Sequence, residues 1–382
     1  LKNNQDQEQT MAIGSVQVNN LNLMQGPLNE VERLFLFMGV GTVNQEKVLN
    51  ADNSTDLDEL LGEDDSTLKT QLEAARQNAG QNWGAVVYVL ASADDWEDGV
   101  DYCMTQVSVE CIVITDAITV STDLEAMHAK AQEIHGQYQR PLFFMAAARK
   151  IDDTVGTGED WSTYVDEIKK LTKDVAANQV MVVPELWGFD QGTLAGRLCN
   201  RAVTVADSPM RVATGPLIGE WSVKPQDNTG REIDMSTLSA LDTERFSVPQ
   251  WYPDYDGTYW ADGNMLDVEG GDFQTVENLR VVQKVMRRIR PLAIARIADR
   301  KLNSTPASIA SNETYFMRPL FEMSHSTEVL GTVHPGEVQP PEDGDITITW
   351  PTRDSVEIYV VARPYNSAKA ITCNIALDLS LN

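Results

Sequence analysis

The chain has 382 residues, enough for two or three domains that each bury a core. Apolar residues make up 42% and charged residues 23%, which is ordinary for a globular protein, and no apolar run reaches the ~20 residues that a membrane-spanning helix needs. The 57 acidic residues outnumber the 30 basic ones, and the net charge of −27 argues against a protein that wraps nucleic acid.

The start of the chain predicts a polar leader followed by an extended arm. Residues 1–10 are polar and unpatterned, which fits either an upstream extension or residues added by cloning, and they carry no prediction about the fold. No basic segment followed by an apolar one is present, so we expect no secretory signal. Residues 11–24 alternate weakly between apolar and polar positions before a Gly-Pro turn, which indicates an extended segment. Its apolar positions are Val16, Val18, Leu21 and Leu23.

The next segment predicts a buried strand at 31–40 and a helical region at 54–77. Gly62 divides that region into two short pieces, with Ser54 and Ser66 as caps. From Trp83 to Asp207 strands and helices alternate, which favours a parallel or mixed sheet with flanking helices. The predicted strands are 84–91, 109–115, 141–147 and 180–183, and the predicted helices are 121–138, capped by Ser121 or Thr122, 160–178 and 192–206.

The remainder predicts an α+β C-terminal domain and a terminal strand. Residues 209–272 are rich in Pro, Gly, Asp and aromatics, typical of turns and short strands. A long amphipathic helix is expected at 274–302, kinked or broken at Arg290-Pro291. Strands follow at 345–350 and 356–362. The last residues alternate strictly with period 2, the apolar positions being Ile371, Cys373, Ile375, Leu377, Leu379 and Leu381.

This terminal pattern leaves two interpretations open. The segment is either an edge strand of its own domain or a strand donated to a neighbouring subunit, where main-chain hydrogen bonds would give affinity. The arm at 13–24 could be its counterpart. We divide the chain into a leader and N-terminal arm at 1–29, an α/β domain at 30–270, an α+β domain at 271–368 and a C-terminal strand arm at 369–382.

Charge is unevenly distributed along the chain. Seven acidic and no basic residues lie between Asp52 and Asp65, whereas residues 275–301 carry eight basic and two acidic residues, a local charge of +6. Opposite patches on one chain suit contacts between its copies. A solvated basic helix face is the equally weighted alternative.

The sequence contains no recognisable active-site motif. Walker A, GxSxG, CxxC and HExxH patterns are absent, and Gly39-Val-Gly41 lacks the third glycine of a dinucleotide fingerprint. The cysteines Cys103, Cys111, Cys199 and Cys373 are scattered, which fits a reducing compartment. His128 and His135 lie too far apart on their helix to share a metal, and we expect His325 and His334 at the surface. We therefore predict no enzyme, cofactor or metal.

Three segments in this order resemble the contractile tail sheath family, in particular short myophage sheaths. They are the opening MAIGSVQVNNLNLMQGP, the basic helix VENLRVVQKVMRRIRPLAIARIADRKLN and the closing ITCNIALDLSLN, with an α/β region between the first two. The resemblance implies a subtilisin-like α/β domain, but the sequence shows no Asp/His/Ser context for proteolysis.

What the resemblance implies is a structural role in a virion tail, assembled in the bacterial cytoplasm. Copies stack as hexameric rings around an inner tail tube, linked by donated terminal strands, and contraction drives the tube through the host envelope. The expected partners are the subunit itself, the tail tube protein, the baseplate and the tail terminator, without direct nucleic-acid binding or membrane insertion. The residues expected to face the tube or a neighbour are Arg287, Arg288, Arg290 and Arg300.

Two other classes remain open on sequence alone. A flavodoxin-like or hydrolase-like α/β protein could bind a ligand at a sheet edge. A tail tube or baseplate component is the third interpretation, although a tube subunit would be shorter and mostly β.

Overall fold

Five parallel strands form the centre of a seven-stranded sheet in the structure, a computed structural model that describes residues 31–329 and 331–376. The spatial order is β2-β3-β1-β4-β5-β6-β9, and the edge strands β2 and β9 run antiparallel to their neighbours. A separate hairpin consists of β7 and β8. The strands are β1 (Phe35–Val40), β2 (Val48–Asp52), β3 (Gly84–Leu90), β4 (Cys111–Ile118), β5 (Phe143–Ala148), β6 (Ala177–Pro184), β7 (Pro249–Tyr252), β8 (Tyr255–Trp260) and β9 (Met265–Leu266).

Helices cover both faces of this sheet, which is why its central strands read as continuous apolar runs. Helices α3, α4, α5 and α7 pack on one face. Helices α1, α2 and α6 and the first half of α8 pack on the other. The helices are α1 (Leu57–Leu61), α2 (Thr67–Ala79), α3 (Trp96–Gln106), α4 (Ser121–Tyr138), α5 (Trp161–Thr172), α6 (Asp190–Cys199), α7 (Met235–Thr243), α8 (Val276–Ile294) and α9 (Pro306–Ser324).

A third, smaller core lies between the second half of α8, helix α9 and a two-stranded hairpin. The hairpin strands alternate buried and exposed residues, so one face packs on the helices. The remaining strands are β10 (Thr327–Val329), β11 (Thr332–His334), β12 (Ile346–Thr352) and β13 (Ser355–Val360). Helix α8 therefore belongs to both cores and joins them.

The predicted alternation of strands and helices is confirmed, with differences at the boundaries. Ser66 caps α2 as predicted, but Asp56 rather than Ser54 caps α1. Helix α4 begins after Val120, without the side-chain cap expected from Ser121 or Thr122. Helix α5 ends at Thr172, because residues 177–178 already belong to strand β6. Strands β2, β10 and β11 and helices α3, α7 and α9 were not predicted.

Of the predicted kink or break at Arg290-Pro291, the break does not occur, and the helix ends at Ile294 and not at 302. Helix α8 continues through Pro291 and ends at Ile294, where the backbone N–H of Ala295 bonds to the Pro291 carbonyl at 3.0 Å. Proline removes one helical hydrogen bond. Packing of Leu292 and Ala293 against the third core compensates for that loss. In the described part of the chain, no helix is both long enough and apolar enough to span a bilayer.

Candidate assembly surfaces

The C-terminal arm is the most exposed apolar segment that the structure describes. Residues 370–376 form neither helix nor strand, and Ile371 and Ile375 are 77% and 96% exposed. Cys373, between them, is exposed as well. Residues 370–376 therefore do not form an edge strand of their own domain. Six predicted strand-donation positions lie outside the described residues, namely Val16, Val18, Leu21, Leu23, Leu377 and Leu379.

A single lysine fixes the root of this arm. The ammonium group of Lys369 lies 2.7 Å from a carboxylate oxygen of Asp262 and 2.7 Å from one of Glu277. Burial alone would lower the pKa of Lys369, but the two carboxylates outweigh it and raise the pKa. The point at which the arm leaves the α/β core is therefore held by two ion pairs.

The hairpin of β12 and β13 offers free strand edges. It forms a sheet of two strands within the described residues, so each strand has one edge without a strand partner. Unpaired edges present rows of N–H and C=O groups to any extended segment. Its inner face is fixed by packing on α9 through Ile346 and Ile348. An added strand would thus meet a sheet whose register is already set.

Three of the eight basic residues of 275–301 are used inside the chain. Arg280 is 1% exposed and forms a bidentate ion pair with the fully buried Glu110, at 2.8 and 2.9 Å. Arg287 lies 3.0 Å from Glu32 and donates to the Pro141 carbonyl. Lys284 lies 2.7 Å from Glu337. These three cations fasten α8 to the rest of the protein, so Arg287 does not present a free charge.

Four of the remaining five basic residues of this segment lie at or near the surface. Arg288 is half-buried, with its guanidinium 4.0 Å from Glu322, a weak ion pair. Arg290, Arg300 and Lys301 have no ion partner among the described residues. The free positive charge is therefore confined to the end of α8 and the turn that follows it.

The position of one histidine differs from the sequence prediction. His334 was expected at the surface, but it is buried and its Nδ1 lies 3.1 Å from an oxygen of Asp207. Strand β11 carries it under the turn 204–207, a contact 127 residues apart in sequence that local pattern cannot show. Within residues 31–329 and 331–376, no group of three or more His, Cys, Asp and Glu side chains could hold a metal ion.

The most perturbed carboxyl groups lie in the core, at the end of β6. Glu185 accepts from the side chain of Gln71 at 2.7 Å and from the backbone of Gln191 at 3.1 Å. Asp190 accepts from two backbone N–H groups at 2.6 and 3.0 Å. No cation neutralises either carboxylate in the described part. Burial raises the pKa of Glu185 to about 7, and burial together with Glu185 raises the pKa of Asp190.

We predict a loss of stability between pH 5 and pH 8 that depends on Glu185. The pKa of Glu185 is higher in the folded protein than in the unfolded chain. Its contribution to the stability of the fold is therefore fully present below the unfolded pKa and is lost as the pH rises through about 7. In the Glu185→Gln variant this position cannot titrate. From pH 5 to pH 8 the free energy of unfolding should therefore decrease less in the variant than in the parent, by about 1–3 kcal/mol. Urea unfolding at both pH values measures the difference. Glu125→Gln, at an exposed position of α4, is the matched control, and equal declines in all three proteins would contradict the prediction.

The chain is similar to known proteins over nearly its full length. Family models described as the DUF2586 N-terminal and C-terminal domains match residues 13–264 and 272–380. A protein of Haemophilus phage HP1 (strain HP1c1), named "Putative tail sheath protein", is 47% identical over 376 residues, covering 96% of this chain and 98% of that protein.

Solved structures share the fold at low sequence identity. The sheath of an extracellular contractile injection system, PVC, in its contracted state has a TM-score of 0.61 at 13% identity, covering 96% of this chain and 98% of that one. A chain of the anti-feeding prophage baseplate has a TM-score of 0.59 at 12% identity, covering 96% and 99%. A sheath tail protein of Desulfitobacterium hafniense has a TM-score of 0.51 at 9% identity, covering 92% and 96%. The chain therefore belongs to the DUF2586 family, within the contractile tail sheath proteins.

Proposed function

We propose that this chain builds the sheath of a contractile phage tail as a structural, non-catalytic subunit. Its copies stack as hexameric rings around an inner tail tube, and contraction drives the tube through the host envelope. The partners are other copies of the chain, the tail tube protein, the baseplate and the tail terminator. The subunit assembles in the host cytoplasm and ends in the virion tail.

The proposal rests on two observations in the same chain, an exposed C-terminal arm and a two-stranded sheet with free edges. The arm alternates apolar and polar residues, yet Ile371 and Ile375 are left in solvent in the single chain. Water-exposed isoleucines in a period-2 pattern favour pairing with a second sheet, which buries one face and satisfies the main chain. The acceptor we propose is the free edge of the β12–β13 hairpin of a neighbouring copy. The arm at 13–24 is proposed as a second donated strand.

We keep the four-part division at 29, 270 and 368 as part of this proposal. The α/β domain would form the bulk of the subunit, and the C-terminal domain would carry the acceptor hairpin. Arg288, which is only weakly paired with Glu322, and Arg290 and Arg300, which are unpaired in the described part of the chain, are proposed to face an acidic tube or an acidic neighbour. Arg287 would act indirectly, since its ion pair with Glu32 fixes the helix that carries them.

Electron microscopy of the purified full chain at raised concentration tests the proposal. Rods or hollow tubes with sixfold end views are the expected result, and their yield should rise when the tail tube protein is added as a template. In the same images, Arg288→Glu/Arg290→Glu should reduce templated assembly while leaving thermal unfolding unchanged. A monodisperse monomer under all conditions, with and without the tube protein, would reject the sheath function.

A further inference from the structure

An open groove of about 700 Å³ lies on the side of the protein that carries α1 and α2. Its walls are residues 54–58, the segment 65–77 and the turn 218–220, and we call it the acidic groove. Of its charged side chains, Lys69 is paired with Asp58 and Arg76 with Glu73. The carboxylates of Asp65 and Glu220 have no ion partner among the described residues. The groove therefore keeps an excess of negative charge on its rim.

An apolar side chain stands open to solvent inside this groove. Ile218 is 55% exposed, next to a wall that includes Phe189. The backbone around Ile218 is held in place, because Asn78 of α2 accepts from its N–H at 2.9 Å and donates to its carbonyl at 2.9 Å. The groove is thus a formed depression with an apolar spot and an acidic rim. A complementary partner would be an apolar side chain flanked by cations.

Residues 294–301, the last residue of α8 and the turn that follows it, have that chemistry, and we call them the basic turn. Ile294 and Ile297 are 50% and 75% exposed. Arg300 and Lys301 follow at the surface, whereas Asp299, the acidic residue of the turn, is paired with Arg296 at 3.0 Å. Arg296 in turn lies over the ring of Tyr315 at 4.0 Å, which attaches the turn to α9. The basic turn is therefore a supported protrusion with two isoleucines and two free cations.

We propose that the basic turn of one copy docks in the acidic groove of the next copy in the sheath. Ile297 would cover Ile218, and Arg300 and Lys301 would meet Asp65 and Glu220 at the rim. The two patches are different parts of the chain, so the contact is heterologous and repeats from copy to copy. Such contacts close into rings or continue as helices, which are the forms a sheath requires. The inference deepens the proposed function by naming a second contact, independent of the terminal arms.

Disulfide trapping between copies tests the contact directly. In a Cys373→Ser background, Ile218→Cys/Ile297→Cys is expected to give a ladder of covalent oligomers on a non-reducing gel under mild oxidation. Each cysteine variant alone should give no ladder beyond a dimer, because a heterologous contact brings unlike positions together. Three other cysteines, Cys103, Cys111 and Cys199, are buried. Burial raises their pKa values and keeps them out of the exchange.

Charge reversal supplies the second measurement. Arg300→Glu/Lys301→Glu should raise the concentration needed for tubes roughly tenfold, since like charges would face each other across the contact. Adding Asp65→Lys/Glu220→Lys in the same chain should restore assembly, because every contact then pairs opposite charges again. Lys169→Glu/Lys170→Glu on α5, on the opposite face of the sheet, is the matched control and should change little.

The outcomes separate this contact from the sheath function itself. Tubes without a ladder, or with no response to charge reversal, would overturn the docking and leave the sheath function standing. A ladder without tubes would support the docking and count against the sheath. If neither forms, both are rejected.

Discussion

Replacing Arg280 with methionine is expected to lower the free energy of unfolding by about 3–5 kcal/mol, because it leaves the carboxylate of Glu110 buried without its counter-charge. Both Glu110 oxygens accept from the Arg280 guanidinium, and one also accepts from the backbone N–H of Arg33 at 2.6 Å. The same guanidinium donates to the Leu198 carbonyl at 3.1 Å. Four segments of the chain thus meet at one pair, and urea unfolding of the variant measures its contribution.

The direction of the effect follows from how burial and charge compete at Glu110. Burial alone would raise its pKa, but the charge and hydrogen bonds of Arg280 outweigh burial, and the pKa lies below its ordinary value. The carboxylate is therefore ionised in the folded core and depends on the arginine. Replacing both partners in Glu110→Leu/Arg280→Met removes the stranded charge, so most of the lost stability should return.

Arg318→Met is the matched control for this pair. Arg318 also pairs with a glutamate, Glu322, at 2.9 Å, but both side chains are more than half exposed. Exposed pairs contribute less than about 1 kcal/mol. If Arg280→Met lowered the free energy of unfolding as little as Arg318→Met, the buried pair would not stabilise the attachment of α8 to the sheet.

The sequence predicted the sheet because its strands are buried on both faces. Continuous apolar runs such as that of β3 need no knowledge of distant partners, and α4 follows from a clear helical period over residues 121–138. Helix α9 was missed because Pro306 and Pro319 both lie within it, the first at its start. Proline in the first turn is compatible with a helix, whereas Pro319 is tolerated because Phe316 and Leu320 pack in the third core.

The assembly surfaces were only partly predictable for a related reason. Alternation to the end of the chain indicated a strand without saying whose sheet it joins. The eight basic residues of 275–301 were counted as one patch, yet Arg280 is buried against a glutamate 170 positions earlier. Helical period places residues on a face but does not identify a buried ion partner distant in sequence. The acidic groove is formed by α1, α2 and the turn at 218–220. These segments are distant in sequence, so no local pattern predicts that they lie together.

Removing residues 370–382 is expected to abolish tube formation while leaving the unfolding of the free subunit unchanged. The described arm residues lie in solvent, so their loss removes little buried area from the single chain. In an assembled sheath, each buried isoleucine would contribute about 1.5–3 kcal/mol, in addition to the main-chain hydrogen bonds of the added strand. Because every copy would donate one arm under this proposal, the loss would repeat at every contact. Electron microscopy and thermal unfolding of the deletion variant measure the two effects separately.

Two variants that place charges on opposite faces of the arm distinguish a donated strand from a tail that associates non-specifically. Ile371→Asp/Ile375→Asp places two charges on the apolar face, and tubes should be lost as completely as in the deletion. Thr372→Asp/Asn374→Asp adds the same two charges one position away, on the opposite face of a strand, and should leave assembly largely intact. Cys373 gives an independent readout, because a thiol-reactive dye should label it in the free subunit and not in tubes. Equal losses in the two variants, or full labelling of Cys373 in tubes, would show that the arm does not pair as a strand with one buried face.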